Sequence, residues 1–237
     1  MSKWADLKVR TISAAVLIAG FIAIVEAGIT AFSIAMVAVW LILIWEWWGF
    51  SHYRTSTFKR LLSLFLGTIY ITLGVLGFWF LYRMGFDYKS EPEEINSVYF
   101  LVIQVAVIDI GGYVFGKLFG KHKLAPQISP GKTWEGLAGS ILCSIISAYV
   151  LVIVYYGESD LNFSLVAGVA LAIVALLGDL LESRMKRKAG LKDSSKIIPG
   201  HGGLFDRVDG LLPCAILATS PNLFLYIILV LVLGAGL

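Results

Sequence analysis

The sequence predicts an all-α, polytopic integral membrane protein with about eight transmembrane helices and with both termini in the cytoplasm. The chain is 58% hydrophobic and only 15% charged over 237 residues, and its mean hydropathy is +0.84. A soluble domain of this length is far more polar. Apolar runs recur along the whole chain, and the loops between them alternate in charge. We therefore treat residues 1–237 as one membrane-embedded domain.

Each predicted span is an apolar run bounded by charged or turn-forming residues. The runs cover 11–25, 29–48, 61–82, 97–115, 134–156, 163–181, 204–218 and a last stretch that ends at 237. The first two form a helical hairpin that turns at 26–28. The seventh is short for a bilayer that needs about 20 helical residues, and Pro213 interrupts it. The N-terminal spans thus fill 11–82, and the other spans and loops fill 97–237.

The loops alternate in charge as the positive-inside rule requires. The basic segments are the N-terminus, 51–60, 116–133 and 182–203, whereas the acidic segments are 85–96 and 157–162. Because lysine and arginine are retained on the cytoplasmic side, the basic segments are predicted to be cytoplasmic. The formal net charge of +3 is too small to indicate a nucleic-acid partner.

Carboxylates at the ends of two predicted spans give the strongest functional signal, because a charge at the centre of a transmembrane helix costs ~2.5–3.5 kcal/mol. Asp179, Glu182 and Lys186 are spaced to lie along one face of the sixth span. Asp206 and Asp209 repeat the spacing of three at the start of the seventh. If these spans are neighbours, the carboxylates converge, and Mg²⁺ would relieve their repulsion. The same residues also fit an interfacial charge cluster without a metal.

The segment between these two spans combines glycines with basic side chains. The backbone of 200–203, Gly-His-Gly-Gly, can approach a ligand closely, and its amides would lead anionic groups onto the N-terminus of the seventh span. Cationic side chains suited to phosphate groups are Lys186, Arg187, Lys188, Lys192 and Lys196. Taken singly, these cations also fit a juxtamembrane polybasic segment that attracts anionic lipids.

The loop before the fifth span holds a second candidate phosphate site. Residues 129–136 read SPGKTWEG, and their GKT is similar to the end of a P-loop. The first glycine of a P-loop would fall at Pro126, so the segment is not a Walker A motif. Asp109 and Tyr113, one helical turn apart in the fourth span, mark the same half of the membrane. A packed polar pair is an equally good interpretation of those two residues.

Five short motifs follow one another along the C-terminal half of the chain. They are S-P-x-K-T-x-E-G at 129–136, G-D-x-x-E-S at 178–183, S-x-x-K-R at 183–187, K-D at 192–193 and H-G-G-x-x-D-R-x-D at 201–209. In this order and spacing they resemble the signature of the phosphatidate cytidylyltransferases, the CDP-diacylglycerol synthases. The sequence departs from that family at Gly131, where lysine is frequent.

That resemblance implies a bacterial inner-membrane enzyme that makes CDP-diacylglycerol and pyrophosphate from CTP and phosphatidate, with its active site facing the cytoplasm. It implies Mg²⁺ held by Asp179, Asp206 and Asp209, with Lys186 beside them as a further catalytic group. A monovalent cation such as K⁺ and a homodimer are implied as well. The substrate-binding residues implied by the matched motifs are Ser129, Lys132, Thr133, Glu135, Ser183, Arg187, Lys192, Asp193, His201, Gly202, Gly203 and Arg207.

Three other functions share some of these features. A CDP-alcohol phosphotransferase would use an Asp-x-x-Asp-Gly start, which 206–210 supplies, but the Ala-Arg and the later aspartate pair of that motif are absent. A CTP-dependent polyprenol kinase would transfer the γ-phosphate of CTP instead of the cytidylyl group. A transporter or channel would also carry intramembrane charges, but it predicts flux without nucleotide turnover.

The charge alternation gives a testable topology. Reporter fusions are expected to place Asp87 and Glu158 outside the cell, and Lys123 and Lys192 in the cytoplasm. An outside location of residues 184–196 would contradict both the topology and a CTP-dependent reaction, because CTP is cytoplasmic.

Overall fold

The chain forms a bundle of long helices in a computed structural model that describes residues 3–52, 56–87, 97–157 and 160–219. The helices are α1 (Lys3–Glu26), α2 (Ile29–His52), α3 (Thr57–Asp87), α4 (Ser97–Phe119), α5 (Trp134–Tyr156), α6 (Leu161–Lys188), α7 (Phe205–Val208) and α8 (Leu211–Thr219). Within these described ranges, six helices, α1 to α6, are long and apolar enough to cross a membrane. They coincide with the first six predicted spans and confirm the helical membrane class.

The charged ends of the apolar runs are helical too, so the helices are longer than predicted. α3 extends from Thr57 to Asp87 around the predicted 61–82, and α6 extends from Leu161 to Lys188 around 163–181. Arginine, lysine, glutamate and methionine are good helix formers, and they continue a helix beyond its hydrophobic stretch. The residues from Glu182 to Lys188 therefore lie on α6 and not in a loop.

The prediction of one helix over 204–218 is wrong. The structure has the four-residue α7, a break at Asp209-Gly210, and then α8 from Leu211. Glycine is a poor helix former, and Pro213 is tolerated in the first turn of α8 because amides there have no partner within the helix. The last predicted span, the end of the chain after 219, and most of the acidic loop 85–96 lie outside the described residues.

One β-hairpin departs from the predicted all-α class. Strands β1 (Lys123–Ala125) and β2 (Ser129–Thr133) pair antiparallel within the loop that joins α4 to α5. The hairpin leads directly into α5, since the Thr133 side chain accepts a hydrogen bond from the Gly136 amide at 3.1 Å and caps that helix. Lys132 is therefore presented by a strand next to a helix start.

The helices approach closely where glycine faces a neighbour. At Gly168 of α6, a Cβ atom would lie only 2.7 Å from Cα of Ile145 on α5, so this contact requires glycine. α4 packs on α5, α5 on α6, and α8 packs between α3 and α6. This order gathers the C-terminal ends of α4 and α6 around the N-terminal ends of α5 and α8.

Candidate active site

A cavity of about 560 Å³ opens where these helix ends meet the β-hairpin. Nine of the catalytic and substrate-binding residues that the resemblance implies line it: Ser129, Lys132, Thr133, Asp179, Lys186, Asp193, Asp206, Arg207 and Asp209. Glu182 and Asp109 line it as well. Its other wall is partly apolar, through Ile108, Leu137 and Leu176. The cavity thus offers charged groups on one side and a hydrocarbon-like surface on the other.

Three carboxylates form a cluster in this cavity. Asp179, Glu182 and Asp209 each offer an oxygen, and these oxygens lie within 4.8 Å of one another. The first two are about one turn apart on α6, as their spacing predicts. Asp209 reaches them from the break before α8 because Gly178 has no side chain, and a Cβ there would lie 2.7 Å from Cγ of Pro213. Helix packing at Gly178 therefore assembles the cluster.

Glu182 is the most buried member of the cluster, with a side chain only 2% exposed. Its Oε2 lies 2.6 Å from Nζ of Lys186, whereas its Oε1 is buried without a hydrogen-bond partner in the described part of the chain. A buried carboxylate oxygen without a partner is costly. Three converging carboxylate oxygens, one of them unsatisfied, are a donor set that fits a hard divalent cation such as Mg²⁺.

Lys132 and Lys186 place positive charge on either side of the cluster. Lys132 reaches from β2 to form an ion pair with Oδ2 of Asp179. Burial alone would lower the pKa of Lys132, but the negative charge of Asp179 and the hydrogen bond to it raise that pKa above its ordinary value. Lys186 bridges Glu182 and Asp206, with Nζ 2.8 Å from Oδ1 of Asp206. Both lysines are thus held as cations beside the cavity.

Asp209 carries a strongly shifted pKa. Burial, and then the negative charge of Asp179, raise the pKa of Asp209 above its ordinary value, although a hydrogen bond from the Gly210 amide at 2.9 Å opposes the shift. Positive charge placed in the cluster would favour the ionised form of Asp209.

Asp206 is not one of the three clustered carboxylates, although the resemblance implied that it binds a metal with Asp179 and Asp209. Its Oδ1 accepts from Lys186, and its Oδ2 accepts from the Ser194 amide at 2.9 Å, the Ser194 hydroxyl at 3.0 Å and the Gly203 amide at 2.8 Å. Asp206 therefore ties the segment 189–204 to α6. Its assignment as a metal ligand stays a prediction.

The amides at the start of α7 do not face the cavity as an anion site, contrary to the expectation for this segment. The amides of Leu204 and Phe205 donate to the carboxylate of Glu46 at 2.9 and 2.6 Å, and that of Gly203 donates to Asp206. Sequence reasoning missed Glu46, which is 2% exposed. The available signal was a lone carboxylate inside the apolar run 29–48.

Three of the predicted substrate-binding residues hold neighbouring parts of the site together. Glu135 accepts hydrogen bonds from the amide of His122, and Nδ1 of His122 lies 2.6 Å from its Oε1, which closes the hairpin onto α5. Nε of Arg187 donates to the carbonyl of Ile128 at 3.4 Å. Ser183 donates to Oδ1 of Asp179 at 3.2 Å. None of the three lines the cavity itself.

The remaining predicted residues lie in the segment 189–204 or contact it. Arg207 lines the cavity, and its guanidinium also donates to the carbonyl of His201 at 2.8 Å. Gly202 adopts φ +83°, a conformation that favours glycine, and pairs with Ile198. Lys192 is exposed outside the cavity lining. The structure therefore brings the predicted aspartates together with Lys132, Lys186 and Arg207. Lys192 and residues 201–203 do not line the cavity.

Comparison with known proteins identifies the family of this chain. The sequence profile described as the cytidylyltransferase family matches residues 51–227, well over half of the chain. The chain belongs to the cytidylyltransferase family. The family predicted from the motifs is therefore confirmed, and all residues of the cavity lie inside the matched segment.

Bacterial proteins named phosphatidate cytidylyltransferase are similar to this member of the family over more than half of the chain. The Mycobacterium bovis protein is 46% identical over 128 residues, which are 54% of this chain and 42% of the relative. The Staphylococcus saprophyticus protein is 39% identical over 142 residues, 60% of this chain and 53% of the relative. The match thus spans about half the length of these curated relatives.

Lys186 gives a prediction about stability. Its ammonium neutralises Glu182 and Asp206, whose side chains are 2% and 5% exposed, so Lys186→Ala leaves two buried carboxylates without their shared counter-charge. We expect a loss of about 3–5 kcal/mol, seen as a lower thermal unfolding midpoint in detergent. The exposed Lys192→Ala is the matched control and is expected to unfold as the wild type does. Adding Glu182→Gln to Lys186→Ala should restore part of the loss, and an unchanged midpoint in Lys186→Ala would contradict the bridging role.

Proposed function

We propose that this protein transfers the cytidylyl group of CTP to phosphatidate, which gives CDP-diacylglycerol and pyrophosphate for phospholipid synthesis. The observation that carries the proposal is the cavity at the ends of membrane-spanning helices, in which three carboxylates and two lysines converge beside an apolar wall. Membership of the cytidylyltransferase family supports the reaction class. The relatives are named phosphatidate cytidylyltransferase, and this similarity supports the lipid substrate.

The reaction needs no nucleophile from the protein. An oxygen of the phosphatidate phosphate attacks the α-phosphorus of CTP in line and forms the new P–O–P bond. The bond from the α-phosphorus to the oxygen that bridges to the β-phosphorus breaks, and pyrophosphate leaves with that electron pair. Catalysis then consists of positioning the two phosphates and stabilising the negative charge of the transition state.

The cations of the cavity are suited to that task. Lys132, Lys186 and Arg207 line it from β2, α6 and α7, so phosphate groups of both substrates would find positive charge on three sides. Lys132 and Lys186 are already held by carboxylates, and such fixed donors need little rearrangement when charge develops. The apolar wall through Leu137 and Leu176 would face the glycerol and acyl portions of the lipid.

Mg²⁺ belongs to this proposal as a resident ion. Asp179, Glu182 and Asp209 would hold it, because their oxygens converge and Oε1 of Glu182 is otherwise unsatisfied. When bound, the ion supplies charge neutralisation for the phosphates and the leaving pyrophosphate. Asp206 as a further ligand and a monovalent cation such as K⁺ remain proposals that rest on the family resemblance alone.

The proposed location is the bacterial inner membrane, with the cavity on the cytoplasmic side. The basic segments 116–133 and 182–203 border the cavity, which supports that orientation through the positive-inside rule. CTP would enter from the cytoplasm, and phosphatidate would enter sideways from the bilayer. A homodimer is proposed from the family resemblance.

Product analysis tests the function directly. Purified protein in detergent with Mg²⁺, phosphatidate and CTP labelled on either the α- or the γ-phosphate is expected to move the α-label into lipid and the γ-label into pyrophosphate. Transfer of the γ-label to lipid with release of CDP would identify a kinase and contradict the proposal. Absence of nucleotide turnover under these conditions would also contradict it.

The carboxylate cluster gives a prediction about the metal. Asp209→Asn and Glu182→Gln each keep the size of the side chain but remove its charge, so we expect turnover to fall by more than ~10²-fold in each variant. Because both residues would act on one ion, the double variant should be scarcely slower than either single variant. Mn²⁺ binding, measured by electron paramagnetic resonance as a stand-in for Mg²⁺, should weaken in parallel.

The matched control is Asp160→Asn. Asp160 caps the opposite end of α6 through the Phe163 amide, and asparagine caps a helix as well as aspartate does. Normal turnover at low Mg²⁺ in Asp209→Asn or Glu182→Gln would exclude that residue as a ligand.

A further inference from the structure

We propose that Glu46, on the membrane-spanning helix α2, is a positioning residue of the reaction, because it fixes the segment 189–204 and the start of α7 beside the cavity. The inference rests on the proposed function. Glu46 precedes the segment 51–227 that matches the family profile, and it does not line the cavity. Its role therefore follows from its contacts alone.

The carboxylate of Glu46 accepts hydrogen bonds from three donors in this segment and at the start of α7. Its Oε1 accepts from the Ser195 hydroxyl at 2.5 Å and from the Leu204 amide at 2.9 Å, and its Oε2 accepts from the Phe205 amide at 2.6 Å. The last two amides begin α7, where backbone N–H groups have no partner within the helix. Glu46 thus caps α7 from a helix that is far away in the sequence.

The residues next to Glu46 hold the same segment through apolar contact. Phe205 is 2% exposed, and its ring lies 5.6 Å from that of Trp47 and 6.0 Å from that of Phe50, centroid to centroid. Trp47 is itself tied to α3 by a hydrogen bond from Nε1 to the Ser63 carbonyl at 2.8 Å. The hydrogen bonds of Glu46 and the ring contacts of Trp47 and Phe50, all on α2, therefore fix the start of α7.

The opposite side of the segment is held by Asp206, which lies on the cavity. Asp206 accepts from Ser194 and Gly203, the immediate neighbours of the residues that bind Glu46, and also binds Lys186. A Cβ atom at position 203 would lie 2.8 Å from the Ser195 hydroxyl, so the segment has no spare room between the two carboxylates. Displacement on the Glu46 side would consequently move Asp206 and Lys186 in the cavity.

Glu46→Gln tests this role with little change in shape. Glutamine has one acceptor oxygen, so its NH₂ group must face at least one of the three donors. We expect kcat per folded molecule to fall about 10-fold or more, because small misplacements of catalytic groups are costly, while KM for CTP changes by less than about 3-fold. Hydrogen–deuterium exchange should speed up at the Leu204 and Phe205 amides and stay unchanged along α5.

A matched control and a second variant complete the test. Glu26→Gln changes a carboxylate of α1 that accepts a hydrogen bond from the Tyr99 hydroxyl at 2.8 Å and that lies outside the cavity lining, so this variant should keep wild-type kcat and KM. Ser195→Ala removes one donor from the loop side and should lower kcat about 5-fold, which tests the same contact if Glu46→Gln does not fold.

The outcomes separate the two proposals. Absence of turnover in the wild type would overturn the proposed function. If Glu46→Gln has the same kcat per folded molecule as the wild type, the positioning role alone is overturned. If Glu46→Gln does not fold, an unchanged kcat in Ser195→Ala overturns it instead. A lower kcat without faster exchange at Leu204 and Phe205 would overturn it too, because Glu46 would then act by another route.

Discussion

The structure depends on the neutralisation of carboxylates that converge at the ends of the membrane-spanning helices. Asp179, Glu182, Asp206 and Asp209 surround the cavity, and only Lys132 and Lys186 form ion pairs with them among the described contacts. Lys132 pairs with Asp179, and Lys186 is shared by Glu182 and Asp206, so Asp209 has no ion pair within the described part of the chain. An uncompensated buried charge is strongly destabilising. The proposed Mg²⁺ would add positive charge beside Asp209, so its binding would contribute both to stability and to catalysis.

That charge arrangement explains why the helices meet as they do. Gly178 allows Asp209 and Pro213 to approach α6 closely, and the break at Asp209-Gly210 turns the Asp209 side chain toward Asp179. A continuous helix through this region would instead keep Asp206 and Asp209 on one face. In the structure they diverge: Asp209 joins the carboxylate cluster, whereas Asp206 fastens the segment 189–204 to Lys186.

Local sequence signals predicted the six long helices, because the hydropathy of a segment alone indicates whether it is apolar enough to lie in the bilayer. They also predicted that Asp179, Glu182 and Lys186 share a face, since three- and four-residue spacing is a property of one helix. The β-hairpin and the break in the seventh span were not predictable in this way. Each is also held by a contact with α6: Arg187 donates to the Ile128 carbonyl of the hairpin, and Gly178 lies against Pro213 of α8. Glu46 was missed for the same reason, because its partner Leu204 is 158 positions away.

The contact of Glu46 also indicates why a segment without regular structure is stable next to apolar helices. Irregular backbone near the hydrocarbon region is tolerated only where its amides find partners within the protein. The amides of Leu204 and Phe205 cannot find theirs inside α7, which is only four residues long. A carboxylate from α2 provides them, and it is itself stabilised because three donors surround it. The buried charge of Glu46 and the unpaired amides of α7 thus satisfy each other, which couples the N-terminal helices to the geometry of the cavity.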